Sequence, residues 1–130
     1  MLNKPIAAVT SFHKAYGLGI EQKPTAHLPE HISSLRFNLM KEENEEYLEA
    51  AKEGDLIEVG DALGDMLYIL CGTIIAHGFQ EKMEAIFDEI QRSNMSKLDA
   101  NGNPIYREDG KVMKGPNYFK PDLEKILNKD

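Results

Sequence analysis

The chain of 130 residues has a single cysteine, Cys71, which excludes an intrachain disulfide framework and makes a reducing, cytoplasmic setting the expectation. Its four histidines, His13, His27, His31 and His77, are scattered, and zinc sites need clustered His and Cys ligands. The amino-terminal stretch has no apolar core of the kind that marks a secretory signal. The longest apolar run, residues 66–76, is interrupted by Gly72 and falls well short of the roughly 20 residues of a membrane span. Basic charge is in deficit: 15 Lys and Arg against 22 Asp and Glu leave a formal net charge of −7. A protein that grips a nucleic-acid backbone normally shows the opposite balance, so neither a nucleic-acid polymer nor a membrane is an expected partner. No Gly-x-x-x-x-Gly-Lys-Ser/Thr phosphate loop is present.

What remains is a globular composition, 42% hydrophobic and 28% charged, of a length suited to one domain over residues 1–130. The charge is segregated. Residues 42–65 hold ten acids and one base, whereas residues 91–120 hold six bases and three acids. Apolar periodicity predicts a first helix over 5–16, with Ile6, Val9, Phe12 and Tyr16 on one face and Gly17 and Gly19 at its end. A second helix is expected over 30–53, stopped by Gly54. A third follows at once to His77, with Asp55 as its cap and Glu58 at the capping-box spacing, and a fourth spans about 80–97. Beyond Leu98, turn signals crowd together: Asn101-Gly102, Asn103-Pro104, Asp109-Gly110 and Gly115-Pro116. Residues 105–107 and 111–113 suggest a small hairpin, and Leu123, Ile126 and Leu127 a last short helix. The expectation is an all-α protein of four-helix-bundle type, with its core in residues 30–97 and a loop-rich, mildly basic arm in 98–130.

The position of the acids carries the functional reading. At about 100° per residue, Ile32, Leu35, Leu39, Glu43, Glu46 and Ala50 fall within roughly 80° of one another, with Glu42 at the edge of that stripe. In the third helix Glu58, Asp61 and Asp65 fall within about 60°, and the other faces are apolar, as in a buried central helix. The short joint at Gly54-Asp55 makes the two helices antiparallel neighbours, so Glu46 and Asp61 stand at similar distances from the turn. Converging carboxylates repel and are costly to bury, and only Lys52 lies near in sequence as a counter-charge. A divalent cation bound by oxygen ligands, Mg²⁺ or Mn²⁺ foremost, would neutralise them. Taken singly, each acid reads as a solvated face or a cap. Two spaced pairs on facing stripes favour a metal site.

Glu43-x-x-Glu46, eleven residues, then Glu58-x-x-Asp61 resembles the ExxE…ExxD signature of the all-α nucleoside triphosphate pyrophosphohydrolases, the superfamily of MazG-like proteins, dimeric dUTPases and phosphoribosyl-ATP pyrophosphohydrolases. The strings Glu42-Glu43-Asn44-Glu45-Glu46 and Asp61-Ala62-Leu63-Gly64-Asp65 look like its two metal-binding segments, and Asp61/Asp65 is an alternative register for the second pair. Many relatives have Glu where this chain has Ala62. The resemblance implies a helical bundle that dimerises through its helices, or forms tetramers of paired dimers. It also implies Mg²⁺-dependent cleavage between the α and β phosphates of a nucleotide, as nucleotide-pool house-cleaning or as phosphoribosyl-ATP hydrolysis. The rival from another class is a nucleotide- or metal-binding module without turnover.

On this reading Glu43, Glu46, Glu58, Asp61 and Asp65 are the metal ligands, and Glu42 or Glu43 orients or deprotonates the attacking water. Lys97, Lys111 and Lys114, with Asn94 and Tyr118, are candidates for the polyphosphate, and Arg107 is a weaker one. His13 could read the base. Phe12 and Tyr16 are more readily core residues than stacking partners, and Cys71 is core. Arg36, at i+7 from Glu43, is either a partner of the acids or a surface residue. The run from Asp99 starts like an EF-hand loop but has Pro104 where Gly is required and Gly110 where the bidentate Glu is required.

Overall fold

The computed structural model describes residues 2–128. Five helices follow in order: α1 (Asn3–Tyr16), α2 (Glu30–Glu53), α3 (Leu56–Ala76), α4 (Met83–Met95) and α5 (Glu124–Leu127). Among the described residues there is no β-strand, only an isolated antiparallel bridge between Tyr106 and Val112. The chain packs as two compact units, Met1–Glu81 and Lys82–Asp130.

In the first unit α3 packs against both α2 and α1. The helix ends are local chemistry. Gly17 and Gly54 close α1 and α2 in the left-handed conformation, each at φ 69°, which glycine adopts without a Cβ penalty. Asp55 caps α3, its side chain accepting from the Glu58 backbone N–H at 3.1 Å, as the capping-box spacing predicts. The core is small: Val9, Cys71 and Ile75 are buried together, with Ile6 and Ile20 packed against them. Burial also raises the Cys71 thiol pKa. The loop between α1 and α2 is stitched to the end of α3. Glu21 N–H donates to the Ile75 carbonyl at 3.0 Å and Thr25 N–H to the His77 carbonyl at 2.8 Å. His77 Nδ1 meets the Thr25 carbonyl at 2.7 Å, and Gln80 Nε2 donates to the Glu21 carbonyl at 2.8 Å.

In the second unit the arm is fastened to α4 by side chains that stand in for a missing strand. Ser93 Oγ donates to the Phe119 carbonyl at 2.8 Å, and Phe119 N–H donates to Ser96 Oγ at 3.1 Å. Asp122 N–H donates to Glu89 Oε2 at 2.6 Å. Glu89 also takes both arms of the Arg92 guanidinium, at 2.8 and 3.0 Å, and Arg92 covers the Phe119 ring at 4.3 Å. The Arg92 hydrogen bonds hold the buried Glu89 carboxyl well below the usual range, at about 2.

Several sequence expectations are corrected. Apolar on nearly all faces, α3 was expected to be buried; instead Leu56 is 85% and Ile57 79% exposed, and Leu63, Leu67 and Leu70 are exposed too. Composition shows that a face is apolar, not which chain covers it. Phe12 and Tyr16 are likewise outside the core, packed on each other with ring centroids 4.5 Å apart. The expected small hairpin is present without full strands: Tyr106 and Val112 form the bridge, flanked by Arg107 N–H donating to the Lys111 carbonyl at 2.8 Å and Met113 N–H to the Ile105 carbonyl at 2.7 Å. The fourth helix begins at Met83 rather than near residue 80, since Phe79 N–H still closes back on the Ile74 carbonyl. Finally, α3 is long and apolar enough to cross a membrane by length and composition, unlike the short run seen in the sequence. Its carboxylates Glu58, Asp61 and Asp65 would be costly in a bilayer.

Candidate active site

The hairpin of α2 and α3 brings four of the sequence-selected carboxylates into mutual reach. Glu43 shares a hydrogen bond with Glu46 and feels the charges of Glu46, Asp65 and Asp61. Burial, then the Glu46 hydrogen bond and charge, then Asp65 and Asp61, push the Glu43 carboxyl up to about 7. Glu43 and Asp65 are half-buried, whereas Glu42, Glu46, Glu58 and Asp61 are exposed. Glu58 does not share in the Glu43 interactions; its backbone N–H serves the α3 cap.

One atom stands out. Glu43 Oε2 is buried with no hydrogen-bond partner. Buried carboxylate oxygens are normally satisfied, and leaving one bare costs free energy. A cation among these carboxylates would satisfy it, and an all-oxygen donor set suits Mg²⁺ or Mn²⁺. Among the described residues no three His, Cys, Asp or Glu side chains are drawn together as a preformed ligand set. The residues therefore fit a cation by chemistry and by the orphaned oxygen, not by completed coordination geometry.

A pH dependence follows. A carboxyl raised from 4.5 to about 7 in the folded state stabilises the fold at low pH, and that contribution is lost as pH rises through about 7. In EDTA, the urea-unfolding free energy is expected to be lower at pH 8 than at pH 5.5, and Glu43→Gln to flatten the difference. A wild type equally stable at both, with the variant unchanged, would remove Glu43 from the buried, charge-crowded position described.

Beside the carboxylates the first unit contains a cavity of about 470 Å³, lined mostly by apolar side chains from α1, α2, α3 and the loop between α1 and α2, including Phe12, Leu35, Leu39 and Tyr68. Three residues with charged or titratable side chains line it, His13 and Arg36 and, from the loop, the exposed Glu21. His13 is buried, and its Nδ1 lies 3.0 Å from the Gly19 carbonyl. Arg36 donates from Nε to Thr73 Oγ1 at 3.0 Å and from Nη2 to the Ile69 carbonyl at 2.7 Å. Arg36 is thus neither a surface residue nor a partner of the acids, and burial lowers its pKa. Sequence reasoning left this role out; the usable signal was Gly72, a glycine inside the apolar second half of α3.

The other expected substrate-binding residues lie in the second unit. Asn94, Lys111 and Lys114 are exposed, and Lys97 and Tyr118 are half-buried. Lys114 Nζ sits 4.8 Å from the Tyr118 ring centroid.

An all-helical chain with carboxylates on a helical hairpin is in keeping with the all-α NTP pyrophosphohydrolases. Comparison with known proteins agrees. The model of the phosphoribosyl-ATP pyrophosphohydrolase family matches residues 9–94. A crystal structure of a candidate NTP pyrophosphohydrolase from Exiguobacterium sp. 255-15 is similar, with 26% identity, a TM-score of 0.50, and coverage of 95% of this chain and 93% of that one. No curated protein matches. The chain belongs to the phosphoribosyl-ATP pyrophosphohydrolase family, and pyrophosphohydrolysis is the class of reaction to which it is assigned.

Proposed function

We propose that the protein is a divalent-cation-dependent pyrophosphohydrolase that splits the α–β anhydride of a (deoxy)nucleoside triphosphate into monophosphate and pyrophosphate, clearing unwanted nucleotides from the pool. The observation that carries this reading is the orphaned Glu43 Oε2 amid Glu46, Asp61 and Asp65. Glu43, Glu46, Asp61 and Asp65 would hold the Mg²⁺, for which Mn²⁺ could substitute, and Glu58 is the further ligand that the family signature implies. When bound, the ion supplies charge neutralisation for the phosphates and acidifies a water. Glu42, exposed and next to Glu43 in sequence, would orient that water and take its proton. Lys97, Lys111, Lys114, Asn94 and Tyr118 suit the polyphosphate by their chemistry.

The exposed apolar residues of α3, Leu56, Ile57, Leu63, Leu67 and Leu70, support a homodimer or paired dimers that cover them. The buried thiol of Cys71 fits a reducing cytoplasm. A second reading, hydrolysis of phosphoribosyl-ATP, is favoured by the description of the matching family model.

The test is pyrophosphate release from a panel of canonical and modified nucleotides, with phosphoribosyl-ATP included, in Mg²⁺, Mn²⁺ or EDTA. EDTA-sensitive release of monophosphate and pyrophosphate is the expected result. Thermal stabilisation by nucleotide with no product would identify a binding module instead.

A further inference from the structure

The helix α3 has three glycines in its span, and they differ in their surroundings. A Cβ on Gly60 or Gly64 would meet nothing within 4 Å. A Cβ on Gly72 would strike the Arg36 guanidinium from α2 and come within 3.0 Å of His13 Nε2 from α1. A glycine inside a helix is unfavourable relative to alanine, so its presence here is matched by the close seating of two polar side chains on bare backbone.

Those two side chains line a largely apolar cavity of about 470 Å³, with the exposed Glu21 the one carboxylate in its lining and the rings of Phe12 and Tyr68 set edge to face at 5.6 Å. Such a cavity has the size and lining of a small-molecule pocket. A guanidinium has five N–H donors and no acceptor. Hydrogen bonds to Thr73 and Ile69 engage two of the Arg36 donors, and among the described residues no carboxylate pairs with it. Next to it, a carbonyl can only accept, so His13 Nδ1 carries the ring proton toward Gly19, and in the neutral ring Nε2 is an acceptor.

The cavity also has an address. Leu39 in its wall is one helical turn before Glu43, and Tyr68 is one turn after Asp65, so it lies along the same two helices as the carboxylates. Arg36 is seven residues from Glu43, about 10 Å along the α2 axis, a span suited to a nucleoside whose phosphates lie at the acids.

We propose that Arg36, seated against Gly72, is the specificity-determining residue that reads an exocyclic carbonyl oxygen on the base of the nucleotide substrate. This rests on the nucleotide reading above and deepens it by naming the base class: uracil, thymine, guanine or hypoxanthine. A carbonyl oxygen offers two lone pairs to the remaining guanidinium donors, and the ring N–H beside it can donate to His13 Nε2. The exocyclic amino group of adenine would set donor against donor.

The test follows the Arg36 Nε–H resonance, assigned by its loss in Arg36→Lys, while metal-free protein in EDTA is titrated with uridine, guanosine and adenosine. Nucleosides lack phosphates, so the carboxylates take no part. A saturable shift with uridine or guanosine is expected, with adenosine binding about tenfold or more weakly. Gly72→Ala should fold, because the Cβ displaces the end of the flexible Arg36 side chain and crowds His13 only at its Nε2 tip, yet lose the response. Nucleoside binding of this pattern with no hydrolysis of any triphosphate would support the base seat and overturn the hydrolase. Four results would overturn the base seat: no shift with any nucleoside, equal affinity for adenosine and uridine, an undiminished response in folded Gly72→Ala, or a shift that follows protein concentration alone, which would place a second copy in the cavity.

Discussion

Replacing Glu46 with Gln is expected to lower pyrophosphate release by on the order of a hundredfold or more, while the metal-free protein stays as stable as the wild type or becomes more stable. The two halves of this result have one cause. Glu46 is one of the like charges that push the Glu43 carboxyl upward, and removing a like charge relieves repulsion in the empty site. The same substitution removes an anionic ligand, so Mg²⁺ should raise the melting temperature of the wild type and leave that of the variant nearly unchanged. Glu49→Gln is the control, since Glu49 is exposed on α2 and takes no part in the Glu43 interactions. Steady-state pyrophosphate release and thermal melts with and without EDTA read both effects. Wild-type activity in Glu46→Gln would remove the carboxylate array from the chemistry. Loss of activity with a large fall in stability would make Glu46 a structural residue.

Much of this is legible in the sequence, and the reason is local. The bounds of α2 follow from Pro29 and Gly54, and the start of α3 from Asp55 and Glu58, each an interaction within a few residues. The pairing of Glu43 and Glu46 with Asp61 and Asp65 follows from a short joint and a 3.6-residue period. What sequence reasoning missed depends on distant partners. Leu56 and Ile57 read as core because they are apolar, but no part of their own unit covers them. Arg36 reads as either a partner of the acids or a surface residue because nothing near it in sequence announces Thr73, Ile69 or Gly72, 33 to 37 residues away. His13, selected from the sequence as a candidate for the base, is buried, bonded to Gly19 and part of the cavity lining.

The glycines give the second large effect, and two with nearly the same backbone separate its causes. Gly54 and Gly78 have φ of 69° and 75°, a region costly for other residues. A Cβ on Gly54 would meet nothing within 4 Å, so Gly54→Ala is expected to cost only the conformational penalty, about 1 kcal/mol. A Cβ on Gly78 would run into the Lys23 backbone carbonyl, which cannot swing aside as a side chain can. The loop carrying Lys23 is held on both sides, by Glu21 to Ile75 and by Thr25 to His77. Gly78→Ala must therefore break part of that stitching, at about 3 kcal/mol or more and a loss on the order of 10 °C in Tm. The same loop supplies Gly19, Glu21 and Leu28 to the cavity wall. Nucleoside affinity should consequently fall in Gly78→Ala at a temperature where the protein is still folded, and remain at the wild-type level in Gly54→Ala. Equal melting temperatures for the two variants would show that backbone conformation alone sets the cost, and that the loop gives way freely at Lys23.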